Sequence, residues 1–252
     1  MKLKKERGNR ANVVNAADQV VFPEVTAIGI RIAKLDFTAW FGTDAVYRIH
    51  PDRDRMQYYV AYQDQETWKV AFGRIADDDA CFLTAYEASG DITQTKPFKV
   101  QGFQEPRRDT GWLLQASLAI RDSQKVFPFH PAAETYNCVV LAEDDGTASV
   151  YWYPGTTNPD IRVLGADGVV HVRGQHDIKI VQYHKNLMQQ PRKASDSMAA
   201  HTHFLIQQPV PLDVAYVMMG RPPEPSFVIC EKQTYLIWKD GSIVALPQKP
   251  AQ

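Results

Sequence analysis

The sequence predicts a mainly β protein, all-β or α+β, whose antiparallel sheets are built from hairpins and meanders with one or two short helices. Two observations carry this prediction. Short segments rich in aromatic and β-branched residues recur along the chain, each closed by polar or helix-breaking residues. Three of the junctions contain Asp-Gly, at Asp145-Gly146, Asp167-Gly168 and Asp240-Gly241, a dipeptide suited to the positive φ angles of a two-residue hairpin turn.

Taken in order, residues 1–18 are polar, with Lys2, Lys4, Lys5, Arg7 and Arg10, and are expected to be disordered or extended. Residues 19–25 and 26–35 are apolar, but Pro23 and Gly29 interrupt them, which favours short strands, or a strand and a turn, over one helix. Residues 56–62 and 68–75 flank the polar 63–66 as a hairpin, and 81–86, after the acidic loop 76–79, extends it into a meander. Residues 110–123 are the best helix candidate. There Trp112, Leu113, Ala116, Ala119 and Ile120 fall near helical spacing behind a cap at Asp109 or Thr110; a strand ending at Ile120 is the alternative.

Residues 135–141 and 148–153 pair across Asp145-Gly146, residues 161–164 and 169–172 across Asp167-Gly168, and residues 235–238 and 242–246 across Asp240-Gly241. Segments 201–206, 213–218 and 226–230 complete a string of short elements separated by Pro209, Pro211 and the cluster 221–225. The polar interval 189–198 reads as a mobile loop. No period repeats, which disfavours a propeller or solenoid. The expected organisation is a single β-rich body over 19–252, or two packed lobes dividing near 121–131, where Pro128 and Pro131 bracket a short aromatic stretch.

Composition bounds function. With 44% hydrophobic and 23% charged residues the chain can build a true core. The 28 Lys and Arg nearly cancel 29 Asp and Glu, so no global field draws the protein to nucleic acid. No window has the roughly 18 uncharged apolar residues of a membrane helix. Residues 1–19 lack the apolar stretch of a secretory signal, so the expected location is cytoplasmic if the N-terminus is complete and exported if a leader was removed. Cys81, Cys138 and Cys230 are widely spaced and odd in number, which is neither a disulfide framework nor a CxxC metal pattern. Gly-x-Ser-x-Gly, Ser-x-x-Lys and P-loop patterns are absent from the sequence, leaving covalent catalysis and P-loop nucleotide binding without support. The acidic runs 77–79 and 143–145 lack EF-hand spacing and read as solvated turns.

The sharpest feature is His201-Thr202-His203: in an extended strand, residues i and i+2 project to one face and can offer two imidazoles to one metal ion. Asp213 could add a carboxylate, and His171, His176 and His184 precede the pair. His201, His203 and Asp213 together partly resemble the JAMM metalloprotease motif, a His-x-His followed by a Ser and an Asp that complete a zinc site. The interval to Asp213 is one residue short, residues 209–212 supply no serine, and the surrounding chain does not read as that family's α/β fold. His50 and His130, each beside a proline, read as loop residues.

Tyr151, Trp152 and Tyr153, with Trp40, Phe41, Tyr58 and Tyr59, are candidates to line a ligand groove, although aromatics on alternating strands mostly pack. The leading expectation is a non-enzymatic binding or assembly module with no cofactor, whose partner is an unknown protein or small-molecule ligand. A structural part of a larger surface assembly is not distinguishable from it in sequence. The alternative is a metal-dependent hydrolase in which zinc is held by His201 and His203, with Asp213 or a residue of 171–184 completing the shell and a nearby Glu as base.

Overall fold

A computed structural model describes residues 22–93, 96–158, 160–174, 177–191, 198–203, 206–220 and 225–247. The N-terminal segment 1–18, His176 and residues 192–197 of the expected loop lie outside them.

The chain is mainly β, as its strand-forming segments require. Helix α1 (Pro23–Tyr47) leads into the meander β1 (Tyr58–Asp64), β2 (Thr67–Ile75), β3 (Phe82–Gly90) and β4 (Lys99–Asp109). Helix α2 (Trp112–Val126) leads into a second meander: β5 (Thr135–Ala142), β6 (Ala148–Gly155), β7 (Ile161–Arg173) and β8 (Asp177–Pro191). Strand β9 (Ala199–Thr202), helix α3 (Pro211–Met218), β10 (Ser226–Ile229), β11 (Thr234–Ile237) and β12 (Ile243–Ala245) follow. The sheets run β1-β2-β3-β4, β5-β6-β7-β8 and β12-β11-β10-β9. All pairings are antiparallel except β9 with β10. No helix among the described residues is long and apolar enough to cross a membrane.

The hairpins at 63–66, Asp145-Gly146 and Asp240-Gly241 form as the sequence predicts, and the helix expected over 110–123 forms as Trp112–Val126, with Gly111 and not Asp109 or Thr110 at its N-cap. Three expectations are corrected. Residues 23–47 are one helix of 25 residues, because Pro23 occupies its first turn, where a missing N–H costs nothing, and Gly29 faces α3 instead of breaking the helix. Residues 211–218 are likewise a helix begun by a proline. Asp167-Gly168 is no turn: β7 runs through it as a long strand, with register shifts against β8 between Gly165 and Asp167 and again between Asp167 and Gly168. Gly165, at φ 73°, is needed there, since a Cβ would lie 2.3 Å from the Asn186 carbonyl oxygen.

Packing follows the strand alternation. One face of the first two sheets, through Val60, Ala71, Val140, Val150 and Trp152, buries α2 residues Leu113, Ala116 and Ile120. The opposite face of the second sheet, through Val139, Tyr151, Tyr153 and Val169, packs on α1 and α3. The third sheet covers the far side of α3, where Val214 and Val217 meet Val228, Ile237 and Ile243. Helix α3 is therefore wedged between the second and third sheets, and this position builds the site.

Candidate metal centre

His201 and His203 flank the end of β9 and, as alternation demands, turn toward one another, with Nε2 atoms 3.1 Å apart. His184, on β8 of the second sheet, brings its Nε2 to 2.8 Å from that of His203. Asp213 is the third residue of α3; its Oδ2 accepts the Val210 N–H at 2.7 Å, which caps the helix and fixes the carboxylate. Its Oδ1 lies 3.0 Å from His201 Nε2 and 3.9 Å from His184 Nε2, and its Oδ2 lies 3.4 Å from His203 Nε2. Three imidazoles and one carboxylate thus place ligand atoms within 4.8 Å of one another.

The spacing is close enough for one ion to bridge the four residues. Zinc–nitrogen bonds of about 2.0–2.1 Å separate neighbouring ligand atoms by about 3.3 Å; five separations, taken to either Asp213 oxygen, run from 2.8 to 3.9 Å, and the whole group lies within 4.8 Å. A donor set of imidazoles and one carboxylate suits zinc, and equally copper, iron or nickel.

Outer partners orient two of the rings. His203 Nδ1 faces the Gln208 carbonyl at 2.9 Å, an acceptor only, so its N–H donates there and Nε2 faces the cluster. His184 Nδ1 sits 2.8 Å from Asp167 Oδ1, while Asp167 Oδ2 accepts the Tyr216 hydroxyl at 2.7 Å. Asp167 is fully buried and reaches this place because the β7 bulge turns it inward. A carboxylate behind a ligating histidine is the usual outer arrangement of a metal site.

Two buried carboxylates dominate the electrostatics. Burial opposes a charge on His184, but Asp167 and Asp213 outweigh it and lift the imidazole to about 9. Burial likewise opposes ionisation of Asp213, and His201 and His203 overcome it, holding the carboxyl far below the usual range. With its pKa raised, His184 holds a proton at neutral pH that a metal ion would have to displace.

The centre has a buried back and an accessible front. The side chains of His203 and Asp213 are each 1% exposed, whereas those of His184 and His201 are 17% and 16% exposed. The exposed pair lines a cleft of about 480 Å³ with Leu164, Met188, Ile206 and Tyr216.

Of the residues singled out in sequence, His201, His203 and Asp213 meet here, and His184 joins them from the interval 171–184. His171 instead shares a 2.8 Å contact with Ser149 Oγ. Tyr151, Trp152 and Tyr153 are buried, Trp152 against α2 and the two tyrosines on the opposite face. Asp167 was masked by its resemblance to a turn residue; its one sequence signal is that apolar segments flank it on both sides. No family model, curated protein or solved structure matches the chain.

Proposed function

We propose that the chain is a zinc-binding protein, its ion held by His184, His201, His203 and Asp213. The observation that carries this reading is the convergence of three imidazoles and a carboxylate with ligand atoms within 4.8 Å of one another, two of the rings having their other nitrogen engaged by an acceptor. Four protein ligands match the usual coordination number of zinc. They come from β8, β9, the residue directly after β9, and α3, so the ion fastens the third sheet to the second and supports a binding or assembly module.

One observation favours a second reading, a metal-dependent hydrolase: His184 and His201 form part of a cleft wall. Against it, no glutamate lines that cleft among the described residues, so the expected base is missing and Asp213 is the only carboxylate there.

Elemental analysis of tag-free protein tests the proposal. Near-stoichiometric zinc in the wild type, lost in the His201→Ala/His203→Ala variant, is expected. Absence of metal from wild-type protein supplied with zinc refutes it.

A further inference from the structure

The cleft contains a polar atom that the metal centre does not use. Ser226 opens β10, is 1% exposed, and its Oγ has no hydrogen-bond partner among the described residues. Leaving a buried hydroxyl unmatched costs about 1–3 kcal/mol. Such a group is retained where something else satisfies it.

Its placement says what that partner is. Strands β9 and β10 are parallel, with Val228 beside His201 and Ser226 beside Ala199, so Ser226 and His201 project to the same face two positions apart. Both line the cleft. The remaining wall is largely apolar: Leu164, Met188 and Ile206, with the ring of Tyr216; Lys185 stands exposed at the rim. About 480 Å³ lies within the range of small-molecule sites, which combine an apolar lining with a few converging polar groups.

We infer that the cleft binds an apolar monocarboxylate, its head group held between the metal and Ser226 Oγ and its hydrocarbon body against Leu164, Met188 and Ile206. The inference rests on the zinc-binding reading above. Zinc can expand from four to five ligands, and the accessible face between His184 and His201 is where a fifth would enter. The serine hydroxyl donates to the second carboxylate oxygen, which repays the hydroxyl's desolvation. Lys185 adds a cation at the entrance.

Octanoate, with octanol as its uncharged counterpart, tests the inference by calorimetric titration of zinc-loaded protein, with zinc content measured on the same samples. One-to-one octanoate binding is expected, with octanol at least about tenfold weaker. Ser226→Ala should weaken octanoate about tenfold, the loss of one hydrogen bond to a charged group, and leave zinc content unchanged. The His201→Ala/His203→Ala variant should lose octanoate binding. Zinc-loaded protein that ignores octanoate, or Ser226→Ala or metal-free protein that binds it as well as wild type, overturns the inference while the zinc site stands. Wild-type protein that takes up no zinc overturns both.

Discussion

Asp167→Asn isolates what the outer carboxylate contributes to the metal centre. The substitution keeps size and shape at a fully buried position, and the amide can still bond both His184 Nδ1 and the Tyr216 hydroxyl. What disappears is the charge. A hydrogen bond to a charged group contributes about 1.5–3 kcal/mol and a neutral one about 1, so roughly 0.5–2 kcal/mol of support for the ligating ring is lost. Removing outer partners of metal ligands lowers affinity about 10–100-fold, and the upper part of the hydrogen-bond estimate overlaps that range. We therefore expect about a tenfold loss of zinc affinity, measured by competition with a chromophoric chelator at fixed pH. Circular dichroism should remain that of the wild type. Affinity within twofold of wild type in a folded Asp167→Asn protein would show that Asp167 does not support a metal ligand.

Two further outcomes test the frame around the site. Gly29→Ala, which in an isolated helix gains about 1 kcal/mol, should here destabilise by about 1–3 kcal/mol by overpacking. The new Cβ would lie 2.5 Å from Val214 Cβ and 2.7 Å from the Pro211 carbonyl oxygen. A raised melting temperature would refute the close α1–α3 contact. Arg107→Ala leaves the buried Glu87 with the Tyr62 hydroxyl after losing a 2.5 Å ion pair, and should cost about 1–2 kcal/mol at neutral pH. Burial opposes the Glu87 charge, but Arg107 and Tyr62 prevail and depress the carboxyl below its usual 4.5. Its contribution is therefore present above about pH 4.5 and lost as pH falls through the depressed value. Melting temperatures of wild type and variant should differ most near neutrality and converge in acid; a constant gap counts against the pair.

The sheets were legible because their signals are local. Alternating apolar residues and turn dipeptides such as Asp145-Gly146 specify a hairpin without reference to distant parts of the chain. Helix α1 was obscured because Pro23 and Gly29 look like breakers until their surroundings are known: one stands in the first turn and the other fits against Val214. Spacing along α1 was the better guide, since Ile32, Leu35, Ala39, Gly42 and Val46 recur at intervals of three and four and are all buried. In the site, His201 and His203 announce themselves by alternation within one strand. His184 and Asp213 reach them only through the register of β7 with β8 and the docking of α3, which are long-range facts. Asp167 was hidden more deeply, because a bulge places it and Asp-Gly is the common signature of a turn.

Strand β9 is only four residues long and, among the described residues, lies at the edge of its sheet and pairs with β10 alone. Such a strand belongs with the segments that open most easily in a folded protein. Yet His201 lies within it and His203 directly follows it, so a bound ion would let β9 leave its neighbour only after two of the ion's bonds break. Amide exchange of residues 199–202 would then report the lifetime of the metal complex. Peeling of the edge, which exposes a free ladder to other chains, would proceed at the rate of ion release.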